Sequence, residues 1–209
     1  MSAELLTSTL VTMLVTVDPP GLAPIFLALT VGMTQVERRA VAVRASVIAT
    51  AILAVSALMG DWLLRQLGIG LPAFRIAGGL FLFWVAFEMV FEKRTDRKAQ
   101  TAETAITIDH IRSIAAFPLA IPLMAGPGAI TAAILSAGRT EGNLVLLAGI
   151  IGVICIVTLI CFVVFLAAER LERFLGTTGR ILLGRLLGVI LAALAIQFVI
   201  DGVKAAALA

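Results

Sequence analysis

Charge is scarce in this 209-residue chain: 14% of its residues are Asp, Glu, Lys or Arg, while 61% are apolar. Ordinary soluble domains carry about 25% charged residues, so a water-exposed globular fold is excluded. Histidine occurs once, as His110, and cysteine twice, as Cys155 and Cys161. Both thiols fall within one apolar run with no histidine beside them, which argues against a metal site or a disulfide framework and for packing as small core residues. A single imidazole in a polar connection has no partner for chemistry and reads as a solvated side chain. Neither a Gly-x-Ser-x-Gly elbow nor a Gly-x-x-x-x-Gly-Lys-Ser/Thr loop occurs, and no paired acids stand at metal-binding spacing inside an apolar run. An enzyme and a self-contained ATP-driven pump are therefore not expected, nor is a cofactor or a metal.

Long apolar runs are abundant. Six segments are bounded by charge or turn signals: Leu5 to Val31, Ala40 to Leu64, Leu71 to Phe91, Ile114 to Ala137, Asn143 to Ala168 and Ile181 to Val203. Each reaches about 20 residues, the length that crosses roughly 30 Å of hydrocarbon at 1.5 Å per residue. The expected fold is all-α, a polytopic membrane protein with six transmembrane helices. Early Glu4 and the lack of a basic start or a small-residue cleavage site point to a retained first span rather than a signal peptide.

The net charge of +3 does not call for nucleic acid, because twelve of the sixteen basic residues cluster at three alternate connections. Those clusters are Arg38, Arg39 and Arg44; Lys93, Arg94, Arg97, Lys98 and Arg112; and Arg170, Arg173, Arg180 and Arg185. The positive-inside tendency places them in the cytoplasm and both termini outside. Residues 92–113 are polar, carry both signs of charge and read as a cytoplasmic linker between a first three-helix unit, 1–91, and a second, 114–209.

Two apolar runs are interrupted near their middles, by Asp18-Pro19-Pro20-Gly21 and by Gly126-Pro127-Gly128. A bilayer offers no water to the backbone groups that such breaks set free, so irregular chain at that depth must be buried in protein or line a polar cavity. Asp18 followed by Pro19 has the form of an N-cap and a first-turn proline, with the preceding half-helix ending near Thr16. The end carbonyls of that half-helix and the Asp18 carboxylate suit a cation, a proton or a substrate ammonium group. Gly126 supplies no capping side chain, so the amides of Gly128, Ala129 and Ile130 are expected to stay open for a carboxylate. One break attracts positive charge and the other negative, as a zwitterion requires.

The candidate substrate site thus comprises Thr16, Asp18, Pro19, Pro20 and Gly21 on one side and Gly126, Pro127, Gly128, Ala129, Ile130 and Thr131 on the other, with Gln197 from the last span. Asp18 is the candidate for ion or proton coupling, and Arg75 and Arg185 are candidates for gating. Blander roles stand beside these: a plain cap for Asp18, close packing for the glycines, back-bonding for the threonines, an interhelical hydrogen bond for Gln197 and snorkelling for the arginines.

Pro19-Pro20-Gly21 lies over Pro127-Gly128-Ala129 at an offset of 108 residues, and Arg75 and Gly78 lie over Arg185 and Gly188 at 110. Since each unit has an odd number of spans, the second enters the membrane from the opposite side, giving 3+3 inverted repeats with discontinuous helices 1 and 4. Six of the seven prolines fall in those two spans.

The runs Asp18-Pro19-Pro20-Gly21-Leu22-Ala23-Pro24-Ile25-Phe26-Leu27 and Phe117 to Ile130, with the later Arg185 to Gly188, Gln197, Asp201 and Gly202, resemble the MarC family of inner-membrane proteins. The resemblance covers nearly the whole chain, and it departs from the family at Pro20, where an aliphatic residue is commoner. It implies six spans in the bacterial inner membrane and the transport of small neutral amino acids such as glycine and alanine. The expected function is a secondary transporter coupled to protons or sodium; the alternative is an exporter or a passive channel for other small polar metabolites. Its partners would be the amino acid and the bilayer, with no nucleic acid, and the composition is compatible with a monomer or a homodimer.

Overall fold

A computed structural model describes residues 2–93, 98, 100 and 114–207, without the side chains of Ser2, Glu172, Thr177 and Arg180. The greater part of the linker, with Arg94, Arg97, His110 and Arg112, lies outside the described residues. Among the described residues the chain is helical apart from turns, with no strand. In order come α1 (Ser2–Val17), α2 (Pro19–Leu29), α3 (Gln35–Gln66), α4 (Leu71–Val90), a proline-interrupted π-helical coil (Ala115–Met124), α5 (Pro127–Gly138), α6 (Leu144–Leu166) and α7 (Ala168–Ala207).

Among the described residues five helical stretches are long and apolar enough to cross a membrane: Ala3–Leu29, which joins α1 to α2, then α3, α4, α6 and Ile181–Ala207. The π-helical coil and α5, bent by 59° at their break, pass the same test together as a sixth candidate. These candidates match the six apolar runs, with two differences at the edges. Helix α3 starts earlier than its apolar run because Thr34 and Glu37 form a capping box, the Thr34 hydroxyl accepting from the Glu37 amide and the Glu37 carboxylate accepting from the Thr34 amide. The basic connection before the last span is helical as well, interrupted only at Gly176, whose φ of 58° and ψ of −175° belong to a region open essentially to glycine alone.

Helix α4 packs along α7, α3 packs on α5 and α6, and the broken crossings fill the space between these layers. Hydrocarbon gives no hydrophobic drive to helix association, so contact rests on close packing of small residues and on interhelical hydrogen bonds. A Cβ placed on Gly79 would stand 2.7 Å from the Ala195 carbonyl oxygen, one on Gly202 2.9 Å from that of Pro72, and one on Gly188 3.1 Å from that of Ala86. Rising numbers on α7 face falling numbers on α4, which makes the pair antiparallel. Between α3 and α6 the Thr50 hydroxyl donates to Thr158 at 2.7 Å while the Thr158 hydroxyl donates to the Ile154 carbonyl at 3.0 Å. Phe26 stacks on Phe165 with ring centroids 4.6 Å apart, fastening α2 to α6. Outward-facing Val47, Leu80, Trp84, Leu159, Val163 and Ile190 are exposed, as apolar side chains toward lipid should be.

Gly79→Val should force α4 and α7 apart at a cost of about 1–3 kcal/mol. Purified in detergent, the variant is expected to melt several degrees lower, whereas Gly152→Ala, where no atom lies within 4 Å of the added Cβ, should melt with the parent.

Candidate functional site

At the first break a single residue leaves the helix. Asp18 adopts a left-handed conformation, φ 60° and ψ 65°, and its carboxylate accepts from the Gly21 amide at 3.1 Å, the capping bond expected for it. Pro19 and Pro20 have no amide, and the Gly21 amide is turned onto Asp18, so the carbonyls of Val15, Thr16 and Val17 lose their helical donors together. Gly21 is required here, since a Cβ would stand 2.1 Å from Asp18 Oδ2. The first crossing is nevertheless less divided than two half-helices: Asp18 donates to the Leu14 carbonyl at 2.9 Å and Leu22 to that of Asp18 at 3.2 Å, so α1 and α2 continue as one 27-residue span.

The second break is more severe. Pro118 and Pro122 force Phe117 and Ile121 into extended conformations, with φ near −130°, because the residue before a proline is pushed out of the helical region. Both prolyl bonds are cis. The half-crossing before Gly126 is thus a wide π-helical coil interrupted at Phe117 and Ile121, its last turn closed by the Ala125 amide donating to the Ala120 carbonyl at 2.8 Å, instead of the regular α-helical half that the apolar run suggests. Beyond it Gly126 caps α5 without a side chain, its own Cβ position taken by the Pro122 carbonyl oxygen at 2.5 Å. The Ile130 amide is not open, since it donates to the Gly126 carbonyl at 3.0 Å. The amides of this terminus without an intrahelical acceptor are those of Gly128 and Ala129, the two positions that precede the first intrahelical bond.

The two breaks converge. A cavity of about 330 Å³ is lined by Thr16 from the first, by Gly126, Pro127, Gly128 and Ala129 from the second, and by Phe81, Val85, Pro122, Leu123 and Lys98. That volume sits at the small end of ligand pockets. Phe81 and Val85 lie about 8–14 Å along α4 from its end at Val90, so the cavity reaches well into the helical bundle.

Lys98 was hidden in the basic linker, where nothing distinguishes it from Lys93, Arg94 or Arg97 in sequence. Instead of facing water it reaches the first break: its ammonium donates to Asp18 Oδ2 at 3.2 Å and to the Val17 carbonyl at 3.5 Å. The two side chains are 8% and 14% exposed, making this a largely buried ion pair, Lys98 the more enclosed partner. Removing one partner of such a pair costs about 3–5 kcal/mol because the other charge is left in a low dielectric.

Other candidates fall elsewhere. Thr16 faces the cavity, but its hydroxyl proton is directed to its own helix, at the carbonyls of Thr12 and Met13, 2.8 and 3.2 Å away. Thr131 packs its methyl group against Gly78 and does not line the cavity. Gln197 is exposed and donates to Asp201 at 2.8 Å one turn along the same helix, which removes it from the site. Pro19 is buried and Pro20 half-buried beside Asp18. Arg75 reaches the Gly138 carbonyl at 3.5 Å, tying the start of α4 to the end of α5, while Arg185 pairs with Glu92 just beyond α4.

Comparison with known proteins places this architecture. Residues 3–207 match the family model described as MarC family integral membrane protein. Among curated relatives, a UPF0056 membrane protein of Aquifex aeolicus is 37% identical over 197 residues, 92% of this chain and 89% of the relative. One from Methanocaldococcus jannaschii is 37% identical over 198 residues, covering 91% and 92%, and the UPF0056 membrane protein YhcE of Escherichia coli is 35% identical over 191 residues, covering 90% and 86%. No solved structure matches. With a family model spanning nearly its whole length and relatives aligned over most of theirs, this multi-pass integral membrane protein belongs to the MarC family.

Proposed function

We propose that the chain is a secondary transporter of small zwitterionic solutes, of the neutral amino acid class, bound between its two broken crossings. The observation that carries this reading is one small intramembrane cavity with complementary ends. At one end lie Thr16, in the last turn of α1, and Lys98, whose ammonium pairs with the Asp18 carboxylate behind it; at the other the Gly128 and Ala129 amides present the positive end of α5. A solute with an ammonium and a carboxylate satisfies both, and one with a single charge leaves one end unmet.

The packing supports alternating access by inverted units, 1–91 and 114–209, joined by a cytoplasmic linker. Residues related by the 108-residue offset, Thr50 and Thr158, bond to each other, as happens where a two-fold axis passes between equivalent helices. Helix α1 packs on α6 while its counterpart, the proline coil, packs on α3; α2 packs on α7 while α5 packs on α4. Rocking one unit against the other around the cavity would expose it to each side in turn. Arg75 and Arg185 then act as closing contacts at opposite ends of α4, one through Gly138 and one through Glu92. The basic clusters at alternate connections support an orientation with both termini outside, and the inner membrane is what the family resemblance implies.

Purified protein in liposomes should take up labelled glycine or alanine saturably and support counterflow; uptake without saturation or counterflow would identify a pore instead. Asp18→Asn keeps an oxygen to cap Gly21 but removes the charge, and is expected to lower uptake at least tenfold, or uncouple it from an imposed proton or sodium gradient, with normal insertion. At Gly128 a Cβ would make only ordinary contacts, the nearest to Val85 at 3.5 Å. Gly128→Ala should therefore fold and transport, while Gly128→Leu should fold but raise KM for the same amino acids at least tenfold by filling the cavity in front of the amides.

A further inference from the structure

Two recesses follow one another along the outer seam between α3 and α6. At the basic end of these helices lies a basin of about 300 Å³ lined by Arg38, Arg39, Glu169 and Arg170 beside Phe165 and Leu166. One turn further along, a groove of about 510 Å³ is walled by Val43, Val47 and Ala51 of α3 and by Leu159 and Phe162 of α6, with the hydrogen-bonded Thr50 and Thr158 between them. We infer that this seam is the binding site of one anionic phospholipid, its phosphate in the basin between Arg39 and Arg170 and an acyl chain in the groove.

The two recesses form one track. Arg39, Val43, Val47 and Ala51 succeed one another at four-residue intervals and make one ridge of α3, while Leu166, Phe162, Leu159 and Cys155, at intervals of four, three and four, make one stripe of α6. From Arg39 to Ala51 the track runs about 18 Å, of which the apolar part beyond Val43 is about 12 Å. One leaflet of a hydrocarbon core is about 15 Å deep. The track therefore has the polar-to-apolar order and the reach of a lipid standing in a single leaflet. Helices α3 and α6 touch through hydroxyls 2.7 Å apart, so the space between them is too narrow for another helix, about 10–12 Å across. A hydrocarbon chain is thin enough to enter it.

Charge selects the head. Glu169 is paired with Arg38 at 2.6 Å, whereas Arg39 and Arg170 are exposed and make no ion pair among the described residues. Two guanidinium groups without an acid, set above an apolar slot, suit a phosphate, which accepts the planar fork of each. A zwitterionic head would carry its own cation into this basin, and an anionic head carries none. Orientation and snorkelling account for basic residues at helix ends, but neither calls for a recess beneath them on the same stripe. Basic pockets between spanning helices are places where anionic headgroups bind. Arg39 and its ridge come from the first half of the chain, and Phe162, Leu159 and Arg170 from the second, so a lipid held here fastens α3 to α6 and α7.

The test uses the full-length protein in detergent, with native mass spectrometry counting the lipids retained from an equal mixture of phosphatidylglycerol and phosphatidylcholine of identical chains. The parent should keep one phosphatidylglycerol, favoured at least fivefold over phosphatidylcholine. Arg39→Gln/Arg170→Gln should bring that ratio within twofold of unity, and Val47→Phe/Ala51→Phe should remove most of the retained lipid of both kinds. Arg65→Gln, at the opposite end of α3, should keep the parent's preference. All five side chains are exposed, so each variant should melt with the parent when no lipid is added; if the arginine variant does not fold, the groove variant decides alone. Equal retention of the two lipids by the parent, or a preference for phosphatidylglycerol that persists in either folded double variant, would overturn the lipid site. A rise in melting temperature with inorganic phosphate equal to that with phosphatidylglycerol would also overturn it, in favour of a free-anion site. So would a dimer abolished by Val47→Phe/Ala51→Phe, which would make the seam an interface between copies. None of these readouts involves transport, so the lipid site and the amino acid reading stand or fall separately.

Discussion

Three successive carbonyls, of Val15, Thr16 and Val17, lose their amide donors because Pro19 and Pro20 have none and Gly21 gives its own to Asp18. In hydrocarbon that deficit must be met by protein, since each unmet group costs several kcal/mol. The remaining architecture answers this constraint. The second broken crossing is brought alongside so that both irregular stretches share one enclosed space, and the linker sends a lysine into it. The layers α3 with α6 and α4 with α7 shield that space from lipid, and glycines at positions 79, 188 and 202 let the outer pair close tightly around it.

The two ends of the cavity are unequal in a useful way. The first crossing keeps most of its ladder, with a single left-handed residue, and presents a full charge in Asp18. The second gives up regularity over the whole Ala115–Met124 coil and presents only two dipolar amides. A rigid, charged wall thus faces a wall made of backbone.

Much of the fold was legible because its signals are local. Apolar run length located the five long helical spans and the bent sixth candidate, Asp18-Pro19 announced a cap, and Asn143 marked the start of α6. What escaped was non-local or depended on proline sterics. Pro118 and Pro122, four residues apart, turn a would-be half-helix into an irregular coil, a consequence of the residues before them as much as of the prolines themselves. Gln197 looked like a cavity polar group but found Asp201 one turn away, and Ile130 looked like an open donor until the capping carbonyl of Gly126 is counted. Lys98 could not be singled out at all, since a basic residue in a basic linker carries no mark of where it goes.

The proline coil also bears on how the chain is made. Ala115–Met124 closes only a wide, interrupted helical ladder, with no amide at Pro118 and Pro122, so as a nascent segment it would enter lipid with part of its polar backbone exposed and would be a poor passenger for the insertion machinery. It needs α3 already standing in the bilayer to receive it, as in the finished structure. Order of synthesis supplies that partner: the amino-terminal half serves as the assembly template for the carboxy-terminal half, and the latter expressed by itself would lack the surface on which its opening segment is built.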